Sequence, residues 1–182
     1  MVFCGLKKLG VCVAVMLAVS LSGCAYSTKN ALPPHLKTIA IPVFKNKTFV
    51  TDYSRKVEVD VTEAARQAFL QNGELTVVGR ETADLILEGE VTNVDRNVLR
   101  SDRFGEAAEV RLVIRARISV YDVKEAKYLI QNQLVTSNDK KSENGVYNIR
   151  RGEFENMGKQ NAVDELGRLI AHAITERWPS SK

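Results

Sequence analysis

Three arginines on one face of a strand-like segment are the residues best suited to bind an anion. Arg111, Arg115 and Arg117 are separated by even numbers of positions, so in an extended strand their side chains project from one side. Guanidinium groups match the geometry of phosphate and carboxylate, which makes a phosphorylated glycolipid a candidate ligand. Two alternatives remain open. This face is solvated and partly neutralised by Glu88 and Glu90 through cross-strand ion pairs with Arg115 and Arg117, or it meets a protein partner.

The sequence offers little that could perform catalysis. Its two histidines are His35, which follows a pair of prolines, and His172, on the polar side of a predicted helix. The sequence contains no nucleophile-elbow, phosphate-loop or zinc-hydrolase motif. Glu88 and Glu90 would project from an exposed strand face, where ion pairing is their ordinary role. We therefore predict no catalytic residue, no bound metal and no cofactor.

Cys24 is the residue with the clearest chemical role. It closes the tetrapeptide that starts at Leu21 and follows a segment with Lys7, Lys8 and an apolar run that begins at Leu9. That run is shorter than the roughly 20 residues a membrane-spanning helix needs, as in a secretory signal peptide. The tetrapeptide resembles the bacterial lipobox, in which the cysteine thiolate accepts a diacylglyceryl group and is acylated again after cleavage. An ordinary signal peptide or an uncleaved anchor is the alternative.

Division of the chain at this cysteine changes how its composition is interpreted. The formal net charge falls from +4 to +2, because two of the 26 Lys and Arg leave with the signal segment, and so nucleic-acid binding is not predicted. Residues 1–23 are predicted to be a lipoprotein signal peptide, 24–36 a lipidated tether, 37–178 a single domain and 179–182 a tail. The residue after the cysteine is Ala25 rather than Asp, which favours the outer membrane as destination.

The spacing of apolar residues predicts the elements of the domain. Two alternating segments, 85–92 and 110–121, each have one apolar and one polar side, which is typical of an antiparallel sheet covered on one face. The second segment is predicted to point its apolar side chains inward (Leu112, Ile114, Ala116, Ile118 and Val120). Further strands are predicted at 37–44, 75–78 and 127–137, helices at 54–71 and 155–177, and a loop at 139–152. Asp52 or Ser54 is expected to cap the first helix and Gly73 to end it.

The predicted fold is therefore α+β, a two-layer domain with a mostly antiparallel sheet of four to five strands covered on one face by two helices.

Several strings in the first half of the chain resemble the LptE family of lipopolysaccharide-assembly lipoproteins. They include the lipobox with Ala25 and Tyr26, and Leu32-Pro33 leading into the string His35–Phe44 with Asn46 and Thr48 after it. They continue in Thr62-Glu63-Ala64 of the first predicted helix and in the string Ala83–Glu90. The resemblance implies a two-layer α+β fold and a non-enzymatic role.

The implied function is that of an outer-membrane lipoprotein, anchored through acylated Cys24 and facing the periplasm. Its implied partners are a large β-barrel translocon, which it helps to assemble, and lipopolysaccharide, which passes to the outer leaflet. Arg111, Arg115 and Arg117 would then meet lipopolysaccharide phosphates or the barrel lumen. The alternatives are a pilotin-like accessory of another envelope or secretion machine, and a periplasmic hydrolase, for which the sequence offers no candidate residue.

Overall fold

The computed structural model describes residues 32–33, 35–49, 54–137, 146–149 and 155–175. The predicted signal peptide 1–23 with Cys24, most of the tether 24–36 and the tail 179–182 lie outside these ranges. Among the described residues, no helix is both long and apolar enough to cross a membrane.

The described residues form an α+β fold of two helices and one curled sheet. The elements in chain order are β1 (Thr38–Ala40), β2 (Lys45–Asn46), α1 (Val57–Asn72), β3 (Thr76–Val77), β4 (Leu85–Ser101), β5 (Ala107–Asp122), β6 (Lys127–Thr136), β7 (Val146–Asn148) and α2 (Glu155–Thr175). A single 3-10 turn, Arg80–Thr82, precedes β4. The two helices pack on each other and, through the buried core, on one face of the sheet.

The sheet is mixed rather than strictly antiparallel, although most of its paired residues are antiparallel, and the predicted four to five strands roughly fit its main path. Five strands follow the path β3-β1-β4-β5-β6, while β2 is added beside β4 and β7 beside β5. The pairs that β5 makes with β4, β6 and β7 are antiparallel, but β1 runs parallel to β3 and β4, and β2 runs parallel to β4. A parallel pair requires a crossover connection, and α1 supplies it between β1 and β3.

The inner face of the sheet follows the predicted alternation. The five inward residues predicted on β5 are all at most 1% exposed, as are Leu85, Leu87 and Val91 of β4. Gly89, at the same face of β4, leaves the space that the Phe44 ring fills: a Cβ on Gly89 would lie 2.4 to 2.5 Å from ring atoms of Phe44. The core therefore continues from the sheet into the segment between β1 and β2.

The helices agree with the prediction except at one end. Gly73, in the left-handed conformation at φ 71°, ends α1, and its N–H donates to the Phe69 carbonyl. The predicted start of the first helix at residue 54 is wrong, because α1 begins at Val57 and its first turn has no side-chain cap. The Ser54 hydroxyl donates to the Phe49 carbonyl instead of capping the helix. Asp52 lies outside the described residues, as do 176–177 of the second predicted helix.

The predicted loop 139–152 contains a strand. Residues 146–148 form β7 and pair antiparallel with β5, from Val146 opposite Arg111 to Asn148 opposite Glu109. Tyr147, 2% exposed, packs against Gly158 of α2 and joins the core. The charged composition of this segment predicted a loop, although its one aromatic residue, Tyr147, is buried. Residues 138–145 and 150–152 lie outside the described ranges.

Candidate functional site

The three predicted arginines share the outer face of β5, but each has a different environment. Arg115 lies opposite Asn93 of β4, and its Nη1 donates to Asp95 Oδ2 at 2.5 Å. Both side chains are about one third exposed, so the pair is a modest contributor to stability and removes one positive charge from the anion-binding candidates. The predicted pairing of Arg115 with Glu88 or Glu90 is wrong.

Arg111 and Arg117 stand at the two ends of this arginine set. They are six positions apart in the sequence, a distance of roughly 20 Å along a strand, which is too far for both to hold one phosphate. The Nε of Arg111 is buried and has no hydrogen-bond partner among the described residues, in a strand flanked by β7. Val113 lies on the same face as Arg111 and Arg115, between them, and is only 3% exposed.

Arg117 belongs to a polar cleft of about 340 Å³ on the outer face of the sheet. Lys45 and Arg80 contribute further positive charges to its lining, and Glu88 and Glu90 contribute negative ones. Glu90 lies opposite Arg117 in the strand register, but its ion pair is with Lys45, at 3.8 Å between Nζ and Oε1. Lys45 and Glu90 thus neutralise each other, and the other charged side chains in the lining of the cleft are two positive ones, Arg80 and Arg117, and one negative one, Glu88.

The β4–β5 hairpin ends in an exposed apolar tip, which we define as residues 98–106. Its largest exposed side chains are Val98, Leu99 and Phe104, at 49%, 45% and 73%. β4 has 17 residues, so the hairpin extends roughly 50 Å from Leu85. On the side away from β5, no described strand pairs with β4 beyond Val91. The alternation in 85–92 and 110–121 gives no sign of these exposed apolar side chains, because they lie between the two segments.

Hydrogen bonds donated by backbone N–H groups order this tip. Asp102 Oδ1 accepts from the N–H groups of Phe104 and Glu106, at 2.8 and 2.9 Å, and the Gly105 N–H donates to the Asp102 carbonyl. Gly105 has φ 84°, a conformation that other residues rarely adopt. The Arg103 guanidinium lies 4.7 Å from the centre of the Phe104 ring, a cation–π distance. The exposed ring of Phe104 thus lies on a turn whose backbone is held by hydrogen bonds.

The opposite end of the sheet holds the point where the predicted tether joins the domain. His35 Nε2 lies 3.2 Å from Asp122 Oδ2, and Asp122 is 1% exposed. Glu125, on the β5–β6 turn, completes a group of three side chains whose candidate ligand atoms lie within 4.8 Å of one another. We refer to His35, Asp122 and Glu125 as the junction cluster.

A second carboxylate fixes the chain directly after His35. Asp84 Oδ2 accepts from the backbone N–H groups of Lys37 and Thr38 and from the Thr38 hydroxyl, at 3.0, 3.0 and 2.8 Å. The hydrogen bond from the Lys37 N–H, followed by that from the Thr38 hydroxyl, holds the pKa of Asp84 below its ordinary value. No local sequence pattern indicates these contacts, because the residues meet only through the parallel pairing of β1 with β4.

Comparison with known families decides where the chain belongs. A family model described as lipopolysaccharide-assembly, LptE, matches residues 36–177. The chain belongs to the LptE family. The match begins within the predicted tether and covers both helices and every described strand, so the resemblance inferred from the sequence is confirmed.

Solved structures share the fold of this chain at low sequence identity. A minor lipoprotein from Acinetobacter baumannii is 15% identical with a TM-score of 0.51, over 82% of this chain and 99% of the other. A hypothetical protein from Chlamydia trachomatis is 10% identical with a TM-score of 0.50, over 79% and 97%. These similarities concern the fold alone. No curated protein matches the chain.

Proposed function

We propose that this LptE-family chain is an outer-membrane lipoprotein that helps a lipopolysaccharide-export β-barrel to assemble and operate, so that lipopolysaccharide reaches the outer leaflet. Acylation of Cys24 anchors it on the periplasmic side of that membrane. In this role the domain binds and positions partners and carries no catalytic residue. Family membership supports the lipopolysaccharide-assembly role, and the lipobox supports the anchor.

The ordered apolar hairpin tip is the observation that carries the proposal of a barrel partner. Phe104 is 73% exposed although its backbone is held by hydrogen bonds to Asp102, and exposed apolar groups on an ordered surface are typical of interaction sites. A sheet with one polar face and a long hairpin end can fill a barrel lumen, because such lumens are polar. An acyl anchor in the same membrane would raise the effective concentration of barrel and domain.

The arginine face is the second part of the proposal. We expect Arg111, Arg115 and Arg117 to face the barrel lumen or the phosphates of lipopolysaccharide. Of the three, Arg117 is the best placed for an anion, because Arg115 is paired with Asp95 and Arg117 shares its cleft with Arg80. Arg117→Gln should therefore weaken lipopolysaccharide capture more than Arg115→Gln does, and equal effects would contradict the role assigned to Arg117.

Site-specific photocross-linking in cells tests the tip. A photoreactive amino acid at Phe104 should yield an adduct with a large outer-membrane barrel protein. The control position is Met157, which is 54% exposed on α2, in the helical layer. Recovery of a secretin instead would support the pilotin-like alternative. Absence of a protein adduct at Phe104, or the same barrel adduct with equal yield at Met157, would remove the support that the tip gives to a barrel partner.

The anchor is tested separately. Cys24→Ala should give a precursor that incorporates no labelled palmitate and is absent from the outer-membrane fraction. The control is Cys12→Ala, within the predicted signal peptide, which should leave labelling unchanged. Normal palmitate incorporation in the Cys24 variant would contradict the lipidation site.

A further inference from the structure

The junction cluster brings one imidazole and two carboxylates together from segments far apart in the sequence. His35 precedes β1, Asp122 ends β5, and Glu125 lies in the turn after it. We propose that these three side chains bind a Zn²⁺ ion, which ties the start of the domain to the β5–β6 turn. This inference is independent of the proposed export function.

The spacing of the ligand atoms suits a tetrahedral ion. Bonds of about 2.0 to 2.1 Å place two ligands of tetrahedral Zn²⁺ about 3.3 to 3.4 Å apart. His35 Nε2 and Asp122 Oδ2 are 3.2 Å apart, close to that separation. A carboxylate oxygen of Glu125 lies within 4.8 Å of both other ligand atoms, and its exposed side chain has the freedom to close the remaining gap.

Asp122 is already oriented for this role. Its Oδ1 accepts the backbone N–H of Glu125 at 2.9 Å, which leaves Oδ2 directed at His35. Hydrogen bonds of this kind orient metal ligands and are a regular feature of metal sites. The same bond fixes the turn that carries Glu125, so that two of the three ligands are positioned by one interaction.

The charges of the cluster favour a divalent cation. With neutral imidazole, Asp122 and Glu125 bring two negative charges, and Lys127, which pairs with Glu125, neutralises one of them. An ion at the centre would replace this ammonium with a closer and larger positive charge, while Lys127, 58% exposed, would return to solvent. One nitrogen and two oxygens form a donor set that zinc accepts, with the fourth position open to water.

The competing explanation is a direct hydrogen bond between His35 and Asp122 with no ion. Calorimetric titration of the full chain in detergent distinguishes the two, with Zn²⁺ as the probe after removal of bound metal by a chelator. The wild-type protein should bind one equivalent, and His35→Gln should weaken the affinity at least tenfold. His172→Gln removes the only other histidine and is the matched control, which should retain wild-type affinity.

Two further measurements test which side chains bind the ion. Glu125→Gln alters an exposed turn residue and should also weaken Zn²⁺ binding at least tenfold without affecting folding, whereas Asp122 is too buried to be changed safely. Co²⁺ in place of Zn²⁺ should give ligand-field absorption without a thiolate charge-transfer band, which excludes the cysteines as ligands. The absence of saturable Zn²⁺ binding, wild-type affinity in either the His35 or the Glu125 variant, loss of binding in the His172 variant, or a thiolate band would each overturn the proposal.

Discussion

Gly89→Ala should destabilise the domain by displacing Phe44. The added Cβ would lie 2.4 to 2.5 Å from the Phe44 ring, which is 2% exposed, so the ring must move. Overpacking of this kind costs about 1 to 3 kcal/mol, and the greater chain entropy of glycine in the unfolded state returns about 0.5 to 1 kcal/mol. We expect a net loss of about 1 to 2 kcal/mol in the free energy of unfolding, or about 2 to 8 °C in Tm.

Urea unfolding followed by circular dichroism measures this loss, and a double-mutant cycle identifies its cause. In a Phe44→Ala background the ring is absent, so Gly89→Ala should be neutral or stabilising, with a coupling energy of at least about 1 kcal/mol. Gly79→Ala is the control, because its Cβ would meet only the flexible end of Glu81 and should change stability by less than about 0.5 kcal/mol. Costs for Gly89→Ala that are equal in the two backgrounds would refute the packing argument.

Two further substitutions probe the helix contact and the carboxylate beside β1. Gly167→Ala should cost about 2 to 3 kcal/mol in urea unfolding, because its Cβ would lie 2.6 Å from the backbone of Ala64 and two helices must separate, whereas the higher helix propensity of alanine returns about 1 kcal/mol. A cost below that of Gly89→Ala would contradict this. Asp84→Asn should cost about 1 to 2 kcal/mol at pH 7, because the ionised Asp84 carboxylate accepts hydrogen bonds from Lys37 and Thr38. Since the folded pKa of Asp84 is lowered, this stabilisation is complete above the ordinary pKa of 3.8 and is lost as the pH falls through the folded pKa. The difference between wild type and variant should therefore stay constant while the pH is well above 3.8 and shrink as the pH falls below 3.8. A difference that stays unchanged there would show that ionisation of Asp84 is not the cause.

The alternation of apolar residues predicted the centre of the sheet because β5 has one face covered by helices. Burial then repeats every second residue, and Leu112 to Val120 follow that period except at Val113, which is buried on the other face. The pairing of β1 could not be predicted in the same way. Whether a three-residue strand runs parallel or antiparallel to its neighbour depends on where the chain returns after α1, and no local pattern records this.

The sequence predicted which arginines share a face of the candidate site, but not which side chains they contact. That Arg111, Arg115 and Arg117 share a face follows from their even spacing. The partner of Arg115 did not follow, because a register irregularity between Val91 and Asn93 interrupts the alternation read from 85–92. The junction cluster depends on residues 87 positions apart in the sequence, and no local pattern records that they meet.

The parallel strand pairs have a consequence for the order of folding. The backbone of Thr38 reaches its acceptor, Asp84, only after a separation of 46 residues has been closed, whereas the β4–β5 and β5–β6 hairpins close through short turns. Contacts between distant residues form more slowly than local ones. We therefore expect the hairpins to acquire protection from hydrogen exchange first, and β1 to complete the sheet late although it precedes every other described strand. Until then the apolar start of β4 lacks its neighbour, and during that interval the chain is most open to misassociation.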